Sequence, residues 1–309
     1  MRILITGSSS FIGFHLVKFL SKNHKVYWTT SKKIKNYTGI RKLRLNKLEK
    51  KNNIILNFNN KNNLEKIFIK YKFDYIFLHH AYTKNANNNK IFDLKKAISV
   101  NLKHLDNIFF LSKKYGVKRI IQTGTNQEYG NYDTIIKENF NKRPNTLYGL
   151  SKLMQSNYCN FLSNYFKVSC VSLKVFNVFG ELDNPKKVTS FVLKNIIENK
   201  ISKLSSCTQI RDFIFIKDLC KCFEKCMTIK NRSFYEEFNV CSSKNITLKN
   251  FLLKICKLSN KNKNLLNFGK INIRKGENQF NLGSNSKIKK KFNFQINFNK
   301  SIKDYINSD

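Results

Sequence analysis

The sequence predicts an α/β protein built on a doubly wound parallel sheet. Over the first 180 or so of its 309 residues, short apolar segments alternate with segments of helical periodicity, which is the pattern of repeated strand–helix units. The three segments that carry chemistry, at 6–13, 123–130 and 148–152, occur in or just after this pattern. Ligands of parallel sheets bind at the carboxyl ends of the strands, so a binding site is expected at that edge.

Six strands are expected in this part of the chain. The first ends in a glycine turn, and Phe11, Leu16, Val17 and Leu20 then recur at helical spacing. Similar helical patterns follow the later strands, and after about residue 180 the alternation gives way to helices and short strands. The predicted strands span 2–6, 26–28, 54–58, 75–81, 119–124 and 169–176.

The formal net charge of +39 would ordinarily indicate a nucleic-acid or membrane partner. Only eight of the 58 basic residues are arginine, however, and lysine, asparagine, isoleucine and phenylalanine abound. This skew is typical of an AT-rich genome, whereas a surface that reads phosphates uses guanidinium forks more freely. We therefore expect no nucleic-acid and no membrane partner, and the charge attracts anionic metabolites.

The eight cysteines include no C-x-x-C pair. Cys220, Cys222 and Cys226 lie on a predicted helix with no histidine nearby in sequence, so buried reduced thiols are expected and no metal site is predicted. The chain begins directly on a strand and has no apolar stretch of about 18 residues. These features favour a cytoplasmic protein without a secretory signal.

The segment TGSSSFIG at 6–13 fits a dinucleotide-binding turn. Gly7 permits the tight turn from strand to helix and Gly13 lets the helix pack on the strand, so that the helix N-terminus faces a pyrophosphate. Ser10 replaces the middle glycine of G-x-x-G-x-x-G, and its hydroxyl can donate to a phosphate oxygen instead. An ordinary serine-rich turn is the alternative. The expected cofactor contacts here are Gly7, Ser9, Ser10, Phe11, Ile12 and Gly13.

The end of the second strand favours NADP over NAD. It reads Thr29, Thr30, Ser31, Lys32 and Lys33, without the carboxylate that binds the ribose 2′-hydroxyl of NAD. Hydroxyls and ammonium groups suit a 2′-phosphate. NADP is therefore the preferred cofactor, with Thr30 and Lys32 as contacts, and NAD stays possible.

Tyr148 and Lys152 form the expected catalytic pair. They are four residues apart and share one face of a helix. A tyrosine pKa near 10 is too high for easy proton exchange at neutral pH, and a nearby ammonium lowers it. Tyr148 can then act as acid or base toward a sugar hydroxyl or carbonyl, with Thr125 hydrogen-bonded to the same oxygen. Helices carry many such Tyr–Lys pairs by chance, so the prediction depends on the glycine turn and Thr125 as well.

With these residues in place, the chain resembles the extended short-chain dehydrogenases/reductases that act on nucleotide sugars as epimerases, dehydratases or reductases. The resemblance implies a Rossmann domain over 1–180 and a smaller C-terminal α/β substrate domain over 181–309, with some segments returning to the first. The expected cofactor contacts then also include Asn57, His80, Ala81, Asn101, Tyr148 and Lys152. The matching segments are 6–13, 79–81, Asn101, 123–130, Pro144 with 148–152, 176–180, 211–218, 238–240 and 274–277.

The resemblance also implies a nucleotide-diphosphate sugar as substrate. Asn177 would contact its diphosphate region, and Arg211 and Arg274 would bind the diphosphate, for which guanidinium groups are well suited. For each arginine a plain surface charge is the alternative. A homodimer formed through two helices is usual in the family. The remaining expected substrate contacts are Tyr82, Asn126 and Gln127.

One departure from the family narrows the reaction. Dehydratases of the family carry an acidic pair after the threonine, whereas this chain has Asn126 and Gln127; amides cannot shuttle the proton, and we expect Glu128 to point elsewhere. The leading interpretation is NADPH-dependent reduction of a 4-keto-6-deoxy sugar. The alternatives are a C4 epimerase similar to UDP-glucose 4-epimerase with tightly bound NAD, and a non-catalytic NADP-binding protein, for which the loss of the middle glycine at Ser10 argues.

Overall fold

The computed structural model describes residues 1–56, 58, 61–230, 233–273 and 277–308, with only the backbone of Lys61. Two expected site residues, Asn57 and Arg274, lie outside the described residues. The strands are β1 Arg2–Ile5, β2 Lys25–Thr30, β3 Asn53–Ile55, β4 Tyr75–Leu78, β5 Arg119–Thr125, β6 Cys170–Val175, β7 Asn177–Phe179, β8 Ser202–Lys203, β9 Ile210–Arg211, β10 Phe213–Phe215, β11 Tyr235–Val240, β12 Leu266–Asn267 and β13 Phe280–Asn281. The helices are α1 Phe11–Leu20, α2 Gly39–Asn46, α3 Lys61–Tyr71, α4 Leu94–Leu102, α5 Leu105–Lys114, α6 Leu147–Phe166, α7 Val188–Ile197, α8 Ile216–Lys225, α9 Leu248–Leu258, α10 Ser286–Phe292 and α11 Phe298–Ile306.

The predicted doubly wound parallel sheet is confirmed. Seven strands lie in the order β11-β6-β5-β4-β1-β2-β3, and the pairs from β3 through to β6 are all parallel. The chain builds outward from β1 to β3, then returns to the other side of β1 with β4 and continues outward. The order therefore reverses between β1 and β4, and this is where doubly wound sheets bind ligands.

The central strands are apolar on both faces because helices cover both sides of a parallel sheet. All four residues of β4 are buried. One of the two faces packs against helices α3, α5 and α6, and side chains such as Leu64, Phe68 and Phe109 form a common core with Leu4 and Ile76. The sheet is thus a rigid base for the loops that leave its carboxyl edge.

The ends of several elements differ from the sequence prediction. Strand β4 ends at Leu78, and the amides of His79 and His80 donate to the Thr6 hydroxyl at 2.9 and 3.1 Å instead of to a neighbouring strand. Strand β5 extends through Thr125, which we had expected just beyond it. Between β4 and β5 the chain forms two helices, α4 and α5, and helix α2 was not predicted.

The chain divides into two compact units. The first consists of Met1–Gly130, Asn141–Val175 and Cys220–Phe238, and it holds the large sheet. The second consists of Asn131–Phe140, Phe176–Leu219 and Asn239–Asp309. It contains the two-stranded parallel pairs β7–β10, β8–β12 and β9–β13, and its core includes the stacked rings of Phe213 and Phe251, 4.0 Å apart.

All eight cysteines are buried. In the described part of the chain, no three His, Cys, Asp or Glu side chains are grouped so as to hold a metal ion. None of the helices in that part is both long and apolar enough to span a bilayer.

Candidate functional site

The turn after β1 is packed so closely that only glycine fits at its two ends. Gly7 has a φ of +73°, and a Cβ there would lie 2.8 Å from His80 Cα and 2.9 Å from His80 N. A Cβ on Gly13 would lie 2.4 Å from the carbonyl oxygen of Gly7. The turn therefore rests directly on the loop after β4 and presents the amino end of α1 at the switch point of the sheet. This cradle fits the pyrophosphate of a dinucleotide.

Ser10 is both the cap of helix α1 and a partner of His79. Its Oγ accepts a hydrogen bond from Gly13 N at 3.0 Å and lies 2.8 Å from His79 Nε2. The hydroxyl expected to face a phosphate is therefore held on two sides within the protein. Beside it Phe11 is buried, whereas Ser9 and Ile12 are half-buried.

The end of β2 offers cations and no carboxylate. Thr30 is buried and hydrogen-bonded to the side-chain amide of Asn53, whose Nδ2 donates to its hydroxyl at 3.2 Å. Lys32 is exposed, with its ammonium 5.0 Å from the centre of the Tyr37 ring.

Arg44 contacts the glycine turn and is a candidate site residue that the sequence analysis missed. It lies on α2, is only 4% exposed, and its Nη1 donates to the carbonyl of Ser9 at 3.2 Å. Its guanidinium also lies 5.7 Å from the centre of the Phe11 ring. The scarcity of arginine in this chain was the one signal that could have drawn attention to it, because α2 itself was not predicted.

Thr125 stands at the end of β5 and begins a tight 3-10 turn, Asn126–Glu128. Its hydroxyl donates to Asn126 Oδ1 at 3.3 Å, and its amide donates to Glu128 Oε1 at 2.9 Å. Thr125 and Asn126 are both buried. The turn thus fixes the backbone of the expected catalytic threonine.

Helix α6 packs on this turn through a glycine. A Cβ on Gly149 would lie 2.4 Å from the carbonyl oxygen of Gln127. The Thr146 hydroxyl caps α6 by accepting from Gly149 N and donates to Gln127 Oε1, both at 2.9 Å. The close approach brings the segment that carries Tyr148 against the segment that carries Thr125.

Tyr148 lies in an aromatic surrounding and is half-buried. The Phe92 ring meets it edge-on at 6.3 Å between centroids and meets the Tyr82 ring at 5.5 Å. Burial, together with the negative charge of Glu128, raises the pKa of Tyr148 above its ordinary value. The phenol is therefore neutral at physiological pH.

Lys152 does not lower the pKa of Tyr148 in this structure, contrary to the sequence expectation. Its side chain is 2% exposed, and its ammonium donates to Gln155 Oε1. Burial lowers the pKa of Lys152 to about 8. To lower the pKa of Tyr148, the lysine would have to be a charged ammonium beside a charged phenolate. Both side chains are desolvated, and desolvation favours the neutral form of each.

Asn101 and Gln155 support this lysine. The Asn101 side chain accepts from Tyr82 N at 3.0 Å and donates to Ser151 Oγ at 3.3 Å. The carbonyl of Asn101 accepts from Gln155 Nε2 at 3.1 Å. The chain can expose that carbonyl because α4 ends at Leu102 and α5 begins at Leu105. Gln155 was not predicted, and no local pattern distinguishes it from other helix glutamines.

Glu128 is buried next to the threonine turn and forms an ion pair. Its Oε2 accepts from Lys174 Nζ at 2.5 Å, and both side chains are fully buried. Lys174 also contacts Glu237 at 2.9 Å and Ser156 Oγ at 2.8 Å. Although burial opposes both shifts, the two carboxylates raise the pKa of Lys174, and lysines lower the pKa of Glu237 to about 2. Lys174 and Glu237 are therefore both charged at neutral pH.

The second unit holds two of the expected substrate residues. Asn177 begins β7 and its Nδ2 donates to the carbonyl of Asp212 at 3.2 Å. The Arg211 guanidinium forms an ion pair with Glu277 at 2.9 Å. The Asp212 carboxylate accepts from Ser242, Ser243 and Gly283, and burial raises its pKa to about 6.

The sequence matches the model of a known protein family. The model described as "NAD dependent epimerase/dehydratase family" matches residues 3–241. The chain belongs to this family. Its members in the comparisons include nucleotide-sugar epimerases, dehydratases and reductases, so the resemblance seen in the sequence is confirmed at this level.

Three relatives illustrate the range. The chain is 30% identical to dTDP-4-dehydro-6-deoxyglucose reductase of Escherichia coli over 153 residues, which cover 47% of this chain and 48% of that protein. It is 24% identical to CDP-abequose synthase of Salmonella typhimurium over 302 residues, covering 93% and 91% of the two chains. The crystal structure of UDP-glucuronic acid 4-epimerase from Bacillus cereus, with UDP-glucuronic acid and NAD, has a TM-score of 0.81 at 22% identity and covers 100% of this chain and 99% of that one. This last likeness shows the shared fold.

Proposed function

We propose that this enzyme uses NADPH to reduce the C4 keto group of a nucleotide-linked 4-keto-6-deoxy hexose. One observation carries the proposal: the carboxylate nearest the catalytic threonine, Glu128, is locked into a buried ion pair with Lys174. Asn126 and Gln127 provide amides where a dehydratase needs acids. Tyr148 then supplies the one proton that reduction requires. The name of the E. coli relative, a 4-dehydro-6-deoxyglucose reductase, is in line with this reaction.

The roles of the residues follow from their chemistry. NADPH, when bound, supplies the hydride for the carbonyl carbon. Tyr148 donates its phenolic proton to the carbonyl oxygen, and Thr125 donates a hydrogen bond to the same oxygen. Lys152 carries the positive charge that offsets the phenolate left behind. Because its pKa is raised, Tyr148 rests in the protonated form that reduction consumes.

NADP is the proposed cofactor, with Lys32 and Arg44 as the cations nearest the 2′-phosphate. Lys32 is exposed at the end of β2, and Arg44 binds the carbonyl of Ser9 in the glycine turn. The remaining residues that would line the cofactor are Gly7, Ser9, Ser10, Phe11, Ile12, Gly13, Thr30, Asn57, His80, Ala81 and Asn101.

A nucleotide-diphosphate sugar is the proposed substrate. Arg211 is oriented by Glu277, and a guanidinium so held is suited to a diphosphate. Asn177 and Arg274 would assist it, while Tyr82, Asn126 and Gln127 would contact the sugar. In this scheme the part of the chain up to about residue 180 binds the cofactor and most of 181–309 binds the substrate.

We also propose that the enzyme is a homodimer in the cytoplasm. Three aromatic side chains on helices α5 and α6 are strongly exposed: Phe110 at 50%, Phe161 at 61% and Tyr165 at 69%. Exposed apolar surface of this kind is typical of an interface between protein chains. Light scattering behind a sizing column measures the mass directly.

The deciding experiment incubates the purified protein with NADPH and a panel of nucleotide-linked 4-keto-6-deoxy hexoses. Loss of absorbance at the NADPH band, with a reduced sugar identified by mass spectrometry, is the expected result. Interconversion of UDP-glucose and UDP-galactose without NADPH consumption would overturn the proposal in favour of a C4 epimerase with bound NAD. Cofactor binding without any turnover would favour a non-catalytic NADP-binding protein.

A further inference from the structure

The imidazole of His79 bridges two loops at the switch point of the sheet. His79 directly follows β4, which lies between β1 and β5. Its Nε2 lies 2.8 Å from Ser10 Oγ, after β1, and its Nδ1 lies 3.0 Å from Thr123 Oγ1, on β5. The mechanism proposed above leaves His79 without a role.

His79 is a neutral imidazole at physiological pH. Burial and, to a smaller extent, the nearby Lys152 ammonium lower its pKa to about 3. A neutral ring has one N–H, so one nitrogen donates while the other accepts. The hydroxyls of Ser10 and Thr123 are therefore coupled through the ring. If one ring nitrogen donates to one hydroxyl, the other ring nitrogen must accept from the other hydroxyl.

The choice of tautomer decides what the Ser10 hydroxyl can do. Ser10 Oγ already accepts from Gly13 N at 3.0 Å. If Nδ1 of His79 donates to Thr123, Nε2 accepts the Ser10 proton and the hydroxyl has none to offer. If Nε2 donates to Ser10, the oxygen accepts two hydrogen bonds and its own proton is left for a third partner.

We propose that His79 is a positioning residue that holds Ser10 as a hydrogen-bond donor to the dinucleotide pyrophosphate. In the bound state Thr123 donates to Nδ1, Nε2–H donates to Ser10, and Ser10 O–H donates to a phosphate oxygen. A glycine at position 10 would let the phosphate approach the backbone closely. This chain of hydrogen bonds replaces that contact. The inference rests on the proposed cofactor being a dinucleotide.

A double-mutant cycle tests the coupling. Dissociation constants for NADPH and NADH are measured by calorimetry for the wild type, Ser10→Ala, His79→Leu and the double variant, with melting temperatures as the check on folding. A hydrogen bond to a charged group implies that each single variant binds about tenfold more weakly. The double variant is expected to bind no more weakly than Ser10→Ala, because His79 acts only through that hydroxyl.

A conservative variant and a spectroscopic signal separate positioning from mere packing. His79→Gln keeps a donor toward Ser10 and is expected to restore affinity to within about threefold of the wild type. Nitrogen-15 spectra of the histidine rings should show His79 as the Nε2–H tautomer when NADP is bound, with His79→Leu identifying the signal.

Three outcomes would overturn the inference. Additive losses in the cycle would show that His79 and Ser10 act independently. An Nδ1–H or doubly protonated ring with cofactor bound would contradict the donor chain. A wild type that binds neither dinucleotide would overturn the proposed function together with this inference, whereas the first two results would leave the proposed function standing.

Discussion

The ammonium of Lys174 lies 2.5 Å from the carboxylate of Glu128, and solvent reaches neither side chain. The other oxygen of that carboxylate accepts the amide of Thr125 at 2.9 Å. A buried ion pair therefore fixes the loop that carries the expected catalytic threonine. Breaking such a pair leaves an uncompensated charge in a low-dielectric place.

Replacing Lys174 should destabilise the protein strongly. Lys174→Met leaves both Glu128 and Glu237 without this partner, and we expect a loss of about 3–5 kcal/mol in the free energy of unfolding. Urea denaturation followed by circular dichroism measures it. The matched control is Lys300→Met, which breaks an exposed pair with Asp304 and should cost less than about 0.5 kcal/mol. Equal losses in the two variants would contradict the ion-pair interpretation.

Tyr148→Phe should remove catalysis and spare cofactor binding. The phenol is the proposed proton donor, and general acid groups contribute about 10²–10⁴-fold to the rate. We expect kcat to fall by about 10³-fold while the NADPH dissociation constant stays within about twofold. Tyr165→Phe, on the exposed side of the same helix, keeps the aromatic ring proposed for the dimer interface, so it serves as the control and should turn over as the wild type does. Retained turnover in Tyr148→Phe would exclude the proposed role.

Gln155 should influence the pH at which kcat declines on the alkaline side. Burial lowers the pKa of Lys152 to about 8, and the ammonium donates to Gln155. Because a lysine loses its charge as pH rises through its pKa, kcat should decline near pH 8 in the wild type. Gln155→Met removes the acceptor, which disfavours the charged lysine further and should move the decline to lower pH.

The control for this shift is Gln295→Met at an exposed glutamine. Its pH profile of kcat, measured under the same saturating substrate, should match the wild type. A decline that stays in place in Gln155→Met would show that Gln155 does not support the charge on Lys152.

Lys32→Glu should weaken NADPH binding selectively. A carboxylate at the end of β2 repels a 2′-phosphate and accepts from a 2′-hydroxyl, so we expect NADPH affinity to fall more than about tenfold and NADH affinity to change by less than about threefold. Fluorescence titration with both nucleotides gives the ratio. Lys290→Glu, at an exposed position on α10, controls for net charge. Equal weakening of both nucleotides would contradict a 2′-phosphate contact at Lys32.

The sequence by itself determined the doubly wound parallel sheet, and it supplied the candidate site residues as predictions. Strand positions were readable because a parallel strand is buried on both faces and so forms a continuous apolar run, as in β4. Gly7 and Gly13 were readable because their requirement is local and steric. Tyr148 and Lys152 were readable as a candidate pair because helical periodicity places them on one face and because the glycine turn and Thr125 accompany them.

The protonation and the hydrogen bonding of these groups were decided by the tertiary structure alone. Burial lowers the pKa of Lys152, whose ammonium donates to Gln155, and Gln155 is held in turn by a carbonyl 54 residues away. Likewise β4 stops at Leu78 because Thr6, more than 70 residues earlier, takes the next amides. Hydrogen bonds and desolvation act between groups distant in sequence, so no local pattern of residues encodes them.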